Sequence, residues 1–362
     1  MMREMRRQQV RDWLCSDALV LWSRRGIDTV RGGAWEALDH SGRPLRRLDK
    51  RMRIHPRNAF VFAEATRQGL GDYGAQARGL FDYALGTGLR ATSGRLAAGF
   101  TPSGGVTHAP HRLYDLAFMI LAASGMERIG LGRAEDRAAL LQALARLRTA
   151  TGWHEELSHT TRRTQNSHMH LFEAATEMFE ATSNPVWRDV AAECLALLKT
   201  QFLNPDGQVL EFFEADWQPV EDGQRIEPGH GAEWVHLIDR YETVTGQTSG
   251  VDLARMFEAV VESQTEAGLP PNATLPCDRK SRLWPQTEFL KAALVMQRRG
   301  YAVPPQARPG RIVTLIFRHY LSTPVAGGWY DERRADLTLC SRRMPSSSFY
   351  HLFGAFSAYL RA

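Results

Sequence analysis

Apolar residues recur along most of this chain at the spacing of an amphipathic helix. Within residues 112–124, for example, Leu113, Ala117 and Leu121 fall four residues apart on one helical face. The same pattern predicts about twelve helices, at residues 8–24, 56–68, 73–87, 112–124, 134–148, 168–182, 186–202, 231–245, 251–265, 285–298, 309–320 and 349–361. The chain is therefore predicted to be mainly helical.

The connections between these helices are mostly short and rich in Gly, Pro and Asp, and none has the low complexity of a linker. We therefore predict a single domain over residues 1–362. Residues 32–39 and 327–331 are predicted to form small strand turns. Residues 92–111 make a longer connection, which is interpreted either as a mobile loop over a pocket or as a solvated connector.

Six polar residues at or near predicted helix starts follow one another at a nearly constant interval. The intervals are 57, 56, 60, 58 and 63 residues, and the six are Arg57, Tyr114, His170, His230, Glu288 and His351. A fixed period of this length indicates repeated units, here helical hairpins, that stack to bury a shared core. Six hairpins closed into a ring would place six helix ends around one axis, so these side chains would meet in one pocket.

The composition narrows the class of protein. Hydrophobic residues make up 43% of the 362 positions and charged residues 23%, as in ordinary globular domains. No apolar run approaches the roughly 18 residues that span a bilayer, and the charged first residues lack the apolar region of a signal peptide. We therefore expect a soluble, cytoplasmic protein without membrane contact.

The net charge of +5 comes almost entirely from arginine, since only four of the 45 basic residues are lysine. Acidic residues are interspersed among them, so the chain has no basic stripe of the kind that binds nucleic acid, and we expect no nucleic-acid partner. The cysteines, Cys15, Cys194, Cys277 and Cys340, are widely separated. They are expected to be buried thiols rather than disulfides or zinc ligands.

The densest polar cluster surrounds a predicted helix start near Ser167. Asn166 and His170 lie four residues apart on one face, whereas His168 points elsewhere. We interpret Asn166 and His170 as site residues, with a structural role at the helix start as the alternative. His168 and His170 also form a His-x-His pair, but no third and fourth ligand stands at a typical spacing, so no metal site is predicted.

A second cluster places His230 three residues before Glu233 at another helix start. A carboxylate at this spacing is able to hold the tautomer of an imidazole and raise its basicity, so Glu233 is predicted to orient His230. Glu288 stands three residues before Lys291, where a structural ion pair explains the sequence as well as a site role does. His351 lies in an aromatic helix, and only its place in the sixfold spacing makes it a candidate site residue.

Histidines, an arginine, carboxylates and amides make up this set, without a Gly-rich phosphate loop or a metal cluster in the sequence. Such a set suits proton transfer at a carbon next to a carbonyl, because a neutral imidazole takes up a proton at neutral pH and returns it to a neighbouring carbon. Arg57 would stabilise the oxygen on which negative charge develops.

Several motifs follow one another in a specific order. They begin with Arg-Gly-Gly-Ala-Trp-Glu-Ala-Leu-Asp at residues 31–39 and Val-Phe-Ala-Glu-Ala at 61–65, and continue at 166–174, 227–234, 283–291, 327–331 and 350–352. In this order the chain resembles the N-acylglucosamine 2-epimerase superfamily over essentially its whole length. The resemblance implies an all-α (α/α)6 barrel, six helical hairpins in a closed toroid with short β-hairpin loops, which agrees with the sixfold period.

Glu-Pro-Gly-His-x-x-Glu-Trp and His-Met-His-Leu-x-Glu-Ala are most similar to the mannose isomerase and sulfoquinovose isomerase branch. The resemblance implies interconversion of D-mannose, or a close hexose, and D-fructose through a cis-enediol, with no metal or other cofactor. It implies His351 as the base at C2 and His230 as the group for ring opening and proton donation. The implied catalytic residues are His351, His230, His170 and Glu233, and the implied substrate-binding residues are Arg57, Tyr114, Asn166, Trp284 and Glu288.

Two departures from the family pattern leave the identity of the sugar undecided. His55 stands where the resemblance leads us to expect Gln, and Gly231-Ala232 is smaller than the pair of residues common there. A phosphate or sulfonate on the monosaccharide is one possibility, with four arginines available to neutralise it or simply to face solvent: Arg53, Arg112, Arg162 and Arg163. The sequence leaves undecided whether the protein is a monomer or a homo-oligomer.

Other functions also stay open at this level. A sugar 2-epimerase uses the same two histidines but returns the proton to the opposite face of C2. A glycoside hydrolase on the same barrel would use two carboxylates among Asp115, Glu233 and Glu288. A sugar-binding protein without activity is a third alternative.

Overall fold

The computed structural model describes residues 2–158 and 162–362, and helices account for most of them. In these residues there are thirteen α-helices: α1 (Met2–Asp12), α2 (Leu19–Arg25), α3 (Ile54–Arg67), α4 (Gly74–Gly88), α5 (Leu113–Arg128), α6 (Ala134–Ala145), α7 (Gln165–Thr182), α8 (Pro185–Leu197), α9 (Pro228–Thr245), α10 (Leu253–Glu262), α11 (Leu283–Arg298), α12 (Pro309–Tyr320) and α13 (Ser348–Arg361). A π-helical segment, Trp13–Ala18, joins α1 to α2, and another, Leu198–Phe202, extends α8. The twelve predicted helices are therefore confirmed.

Alternate helices form an inner ring. Helices α3, α5, α7, α9, α11 and α13 each pack on the next, and α13 packs back on α3. The outer helices α4, α6, α8, α10 and α12 each pack on the inner helix that precedes them, and α1 packs on α13. The sixth hairpin thus consists of the first and last helices, and the ring closes. The predicted all-α barrel of six hairpins is confirmed.

Sequence pattern explains which helices are inner and which are outer. Helix α10 buries Leu253, Met256, Phe257 and Val260, a single apolar stripe at positions i, i+3, i+4 and i+7, so it covers the ring from outside. Helix α5 instead buries every residue from Asp115 to Met126. A helix that is buried all round belongs between two layers, because both of its faces are then removed from water.

Five two-stranded antiparallel ladders connect the loops of the described chain: β1 (Ala37–Leu38) with β10 (Met344–Pro345), β2 (Lys50–Arg51) with β3 (Gly99–Phe100), β4 (Arg148–Thr149) with β5 (Gly152–Trp153), β6 (Arg162–Thr164) with β7 (Phe212–Glu214), and β8 (Ser281–Arg282) with β9 (Glu332–Arg333). Only β4 and β5 form a local hairpin; the other ladders join loops that are distant in sequence. The ladder between β1 and β10 ties the loop before α3 to the loop before α13, where the ring closes.

The shorter predictions have mixed outcomes. Strand β1 lies inside the predicted turn at 32–39, whereas residues 327–331 contain no strand and β9 begins directly after them. Of the cysteines, Cys194 is buried but Cys277 is exposed, so the expectation of four buried thiols is wrong. Among the described residues, no helix combines the length and the apolar character that crossing a membrane requires.

The sixth hairpin depends on one aromatic stack. Trp22 of α2 is buried and lies parallel to Trp329, with ring centroids 4.4 Å apart. Its Nε1 donates a hydrogen bond to the carbonyl oxygen of Gly327 at 3.3 Å. This contact attaches the first helices to the loop that leads into α13.

We expect Trp22→Ala to lower the free energy of unfolding by about 3–5 kcal/mol, because it leaves a large cavity between α2 and α13. Urea denaturation followed by circular dichroism measures this change. Val30→Ala is the control, since Val30 is 89% exposed; it should shift stability by less than about 0.5 kcal/mol. Equal effects of the two substitutions would contradict the role assigned to the stack.

Candidate active site

A cavity of about 680 Å³ lies at the end of the ring where the inner helices begin. Eight of the nine predicted site residues line it, namely Arg57, Tyr114, Asn166, His170, His230, Glu233, Trp284 and His351. Glu288 lies beneath it, fully buried. A larger surface groove of about 960 Å³ runs along α12, but no predicted site residue lines that groove. Five of the six residues of the period therefore line one cavity, and Glu288 does not.

Local sequence places the helix starts at this cavity. Pro228 opens α9 at a position where its missing N–H costs nothing, which leaves His230 in the first turn. Thr164 caps α7, since its side chain accepts a hydrogen bond from the backbone N–H of Ser167. Asn166 and His170 follow on the face that lines the cavity.

His351 is held by a carboxylate on the neighbouring inner helix. Its Nδ1 lies 2.7 Å from Oε1 of Glu288, whose Oε2 lies 2.5 Å from Nζ of Lys291. Burial lowers the pKa of His351 to about 4, although Glu288 acts in the opposite direction. Against the effect of burial, Lys291 and His351 hold the pKa of Glu288 at about 2. At neutral pH Nδ1 therefore donates to an ionised carboxylate, and Nε2 is left as the basic atom.

Glu288 was predicted to bind substrate, and the structure corrects this position. The side chain faces His351 and Lys291 and does not line the cavity. The ion pair with Lys291, which the i, i+3 spacing favoured, is present. Glu288 thus contacts His351 and Lys291 behind the cavity rather than the cavity itself.

His230, unlike His351, is positively charged at neutral pH. Its Nδ1 lies 2.6 Å from Oε1 of Glu211, and Glu211 also accepts hydrogen bonds from Nε2 of Gln165 at 3.0 and 2.9 Å. Burial alone would lower the pKa of His230, but the charge and the hydrogen bond of Glu211 raise it to about 10. His230 is therefore an imidazolium at neutral pH and is able to donate a proton.

The prediction that Glu233 orients His230 is wrong. The carboxylate at His230 is Glu211, which directly precedes β7, whereas Glu233 lies 4.0 Å from Nδ1 of His170. Both carboxylate oxygens of Glu233 are buried and have no hydrogen-bond partner. The sequence did carry a signal for Glu211, because it is the one charged residue in the run Val-Leu-Glu-Phe-Phe at 209–213.

Glu233 lines the cavity and is buried next to other carboxylates. Burial, and next the charge of Glu288, raises its pKa well above the ordinary value of a glutamate. Its surroundings therefore favour the protonated form. A neutral carboxyl group both donates and accepts a hydrogen bond, so Glu233 is suited to hold a sugar hydroxyl.

His170 is uncharged and enclosed by aromatic rings. Its Nδ1 lies 3.2 Å from Oε2 of Glu173, and its ring lies 4.5 Å from that of Phe118. Burial, and next the charge of Arg57, lowers the pKa of His170 well below its ordinary value. His168 is buried away from the cavity, with its Nδ1 2.9 Å from the carbonyl oxygen of Thr164. One histidine of the pair is thus presented and the other is structural, as predicted.

Arg57 offers a cation without a carboxylate partner among the described residues. Its Nη2 donates to the hydroxyl of Tyr114 at 2.8 Å, and its guanidinium lies 4.0 Å from the ring centroid of Phe118. Its Nε is buried and has no hydrogen-bond partner. Such a cation stabilises an oxygen that becomes negative during a reaction.

Trp284 forms an apolar wall between the neutral His351 and the charged His230. Its ring centroid lies 4.9 Å from that of His230 and 5.7 Å from that of His351. Gly229 allows this approach, since a Cβ there would lie 2.6 Å from the indole ring. A side chain at position 229 would push Trp284 out of its place.

Arginines surround the cavity more extensively than predicted. Arg53 and Arg112 line it, as do four arginines not singled out in the sequence: Arg51, Arg282, Arg342 and Arg343. The predicted Arg162 and Arg163 do not line it. The arginines that line the cavity are hard to recognise in the sequence, because single arginines are common on protein surfaces. Only the folded loops bring them together at the cavity.

His55 and residues 92–111 lie outside the cavity lining. His55 is buried, and its Nδ1 accepts a hydrogen bond from the backbone N–H of Ala34 at 2.9 Å. Gly33, at φ +77°, leaves room for this ring, because a Cβ would lie 2.8 Å from it.

The long connection at residues 92–111 is attached to β2 through β3, so the structure favours the solvated connector over a loop that covers the pocket.

Two overlapping groups of potential metal donors lie at the floor of the cavity: His170, Glu173 and Glu233, and Glu233, Glu288 and His351. Within each group the donor atoms lie within 4.8 Å of one another. The ammonium group of Lys291 already contacts Glu288 at 2.5 Å, and its positive charge opposes a divalent cation there. These residues fit a metal ion poorly and fit proton transfer well.

Known proteins resemble this chain in both sequence and structure. Residues 33–355 match the family described as N-acylglucosamine 2-epimerase. The chain belongs to this family. A relative named mannose-6-phosphate isomerase, from Rhizobium meliloti (strain 1021), is 32% identical over 95% of this chain and 94% of its own.

This epimerase-family chain is also similar to proteins named D-mannose isomerase. D-mannose isomerase from Thermobifida fusca is 30% identical over 69% of this chain and 68% of its own. A crystal structure of D-mannose isomerase superposes with a TM-score of 0.84 at 19% identity, covering 99% of this chain and 97% of that one. The family resemblance inferred from the motifs is thus confirmed, and the structural match confirms the fold.

For this epimerase-family chain, we expect Glu211→Gln to lower the pKa of His230 from about 10 by at least about 2 units, because the carboxylate that offsets burial is lost. NMR titration with ¹³C-labelled histidine measures this change. Because folding raises this pKa, the stability that His230 contributes is full below the pKa of an unfolded histidine and is lost as pH rises toward 10. Glu211→Gln should abolish that loss.

Glu214→Gln is the matched control, since Glu214 lies on the same strand β7 and is exposed. It should leave the His230 titration unchanged. A His230 pKa that stays near its original value in Glu211→Gln would show that Glu211 is not the cause of the charge.

Proposed function

We propose that the protein is an aldose–ketose isomerase that interconverts D-mannose and D-fructose through a cis-enediol. The observation that carries the proposal is that two histidines line one cavity, each with Nδ1 next to a carboxylate, but differ in charge: His351, with a pKa of about 4, is neutral, and His230, with a pKa of about 10, is an imidazolium. Neighbouring groups whose pKa values are driven apart by their environments are suited to act as base and acid. The names of the two sequence relatives support mannose as the sugar.

His351 acts first as the base. Its Nε2 takes the proton from C2 of the open-chain aldose, while His230 donates a proton to the carbonyl oxygen at C1. This gives the cis-enediol, and Arg57 stabilises the negative charge that develops on oxygen. His351 then returns its proton to C1, and His230 regains a proton from the hydroxyl at C2, which completes the ketose and restores both histidines.

Glu233 and Trp284 position the sugar. The unpartnered carboxyl oxygens of Glu233 accept and donate hydrogen bonds to hydroxyl groups, and Trp284 covers an apolar face of the ring. His170 and Asn166 supply further polar atoms on the same side. Because both buried oxygens of Glu233 lack partners without a ligand, a bound hydroxyl relieves an unfavourable burial.

Epimerisation at C2 is the second candidate function. His230 and His351 project from α9 and α13, with Trp284 of α11 between them. Two proton carriers on different sides of a sugar suit removal of a proton from one face of C2 and return to the other. The name of the family, N-acylglucosamine 2-epimerase, supports the same alternative.

The hydrolase alternative has less support. Of Asp115, Glu233 and Glu288, only Glu233 lines the cavity. Asp115 is buried and its Oδ1 lies 3.2 Å from Nε of Arg53. Hydrolysis of a glycoside requires two carboxyl groups on either side of the bond that breaks, and this trio does not supply them.

We expect D-mannose in deuterated water to yield D-fructose, and His351→Gln to lower kcat by about 10²–10⁴, because the base at C2 is lost. Proton NMR of the sugar measures both product and rate. The control is His319→Gln, which removes a histidine of α12 that does not line the cavity.

The other outcomes of this experiment would contradict the isomerase or the role of His351. Glucose in place of fructose would identify the epimerase. Binding of mannose without turnover would identify a sugar-binding protein, and full activity of His351→Gln would remove His351 from the mechanism.

The arginines at the cavity mouth generate a separate prediction about the sugar. Arg342 and Arg343 are exposed and have no acidic partner among the described residues. If the substrate carries a phosphate, as the name of one relative suggests, Arg342→Ser with Arg343→Ser should lower kcat/KM for D-mannose 6-phosphate about tenfold and leave D-mannose unaffected.

Arg334→Ser, an exposed arginine on the adjoining loop that does not line the cavity, is the control. Rates for both sugars are compared at low and high salt. Equal loss for the neutral and the charged sugar would mean that the two arginines do not recognise phosphate.

A further inference from the structure

A layer of buried charges lies directly behind the sugar cavity. Lys291 of α11 is buried, and the carboxylates of Glu288, Glu233 and Glu173 act on it together to raise its pKa against the effect of burial. All three glutamates are buried as well. Lys291 is therefore the cation shared by a cluster of carboxylates that includes the partner of His351.

Lys291 does not line the sugar cavity. It lines a second cavity, of about 610 Å³, which it shares with Glu173 and Tyr350. Its ammonium group reaches the sugar cavity only through Glu288, at 2.5 Å, and Glu288 in turn lies 2.7 Å from His351. The chain Lys291, Glu288, His351 thus runs from one cavity to the other.

We propose that Lys291 is a positioning residue of the reaction: its positive charge offsets the negative charge of Glu288, so that His351 remains uncharged with Nε2 as its basic atom. The proposal rests on the proposed function, in which His351 is the base. It extends that function, because it assigns a role in the reaction to a residue that does not contact the sugar.

The surroundings of His351 show why this cation matters. The charged and titratable groups around it come from every inner helix, namely Arg57 on α3, Tyr114 on α5, His170 and Glu173 on α7, His230 and Glu233 on α9, Glu288 and Lys291 on α11, and Tyr350 on α13. Glu288 raises the pKa of His351, and Arg57 and Lys291 lower it. Without Lys291, the ionised Glu288 would attract a proton to His351 more strongly, and the base would become an imidazolium at a higher pH.

The test is Lys291→Met, assayed as kcat and KM against pH on the full chain. We expect the acid limb of kcat to move upward by about 1–2 pH units, because the nearby positive charge is lost. At pH 5 kcat should then fall about tenfold, and at pH 8 it should change by less than about twofold. KM should change little, because Lys291 does not line the sugar cavity.

Two further variants separate charge from packing. Lys291→Arg keeps the charge and should retain the original pH profile; the adjoining cavity and Gly354, at which an added Cβ would lie 4.0 Å from Nζ, leave space for it. Lys291→Gln keeps a hydrogen-bond donor for Glu288 without the charge. It should show the same shift as Lys291→Met, and it replaces that variant if Lys291→Met does not fold.

Arg298→Met is the matched control, since it removes another cation of α11 that lines the same second cavity but pairs with Asp239. It should leave the acid limb in place. An unmoved limb in folded Lys291→Met and Lys291→Gln, or an equal loss of kcat at all pH values, would overturn the proposal.

A direct titration distinguishes failure of this proposal from failure of the proposed function. The ¹³C-histidine signal of His351, assigned by its absence in His351→Gln, reports the pKa without any turnover. A higher His351 pKa in Lys291→Gln, with no sugar turned over by the wild type, would support the electrostatic role and reject the isomerase. An unchanged pKa would reject the role of Lys291 whatever the enzyme does.

Discussion

Burial of several ionisable groups at the centre of a helical ring is the constraint on which the site depends. Glu173, Glu233 and Glu288 are all removed from water, and Lys291 is the ammonium group among them. Isolated charges are costly in such an environment, so each group must be paired, hydrogen-bonded or neutral. Glu288 is paired, Glu173 contacts the hydroxyl of Tyr350, and burial favours the protonated form of Glu233.

The same constraint gives the two histidines different charges. Both His230 and His351 place Nδ1 close to a carboxylate, at 2.6 and 2.7 Å. The partner of His351 is itself neutralised by Lys291, whereas the partner of His230 is held by the neutral amide of Gln165. Two nearly identical contacts therefore produce a neutral imidazole and a charged one. Proton transfer in two directions at one sugar requires this difference.

Ring closure is what brings these groups together. The inner helices begin at one end because every hairpin returns the chain to that end, and the ladder between β1 and β10 joins the first repeat to the last. His351 on α13 then lies beside Arg57 on α3, although nearly the whole chain separates them. A site assembled from six repeats has few local partners, so its geometry depends on the whole ring.

The sequence alone predicted the helices, the sixfold repeat and the closed barrel, and eight of the nine site residues it predicted line the cavity. It succeeded because helical periodicity and helix starts depend on residues three and four apart, which backbone geometry relates directly. Tertiary structure decided the partners: Glu211 rather than Glu233 at His230, Glu288 behind His351, and the arginines around the mouth. Those contacts join residues from different repeats, and the charge of each histidine follows from them. Only the closed ring sets these distances, because no local rule relates positions that far apart in the chain.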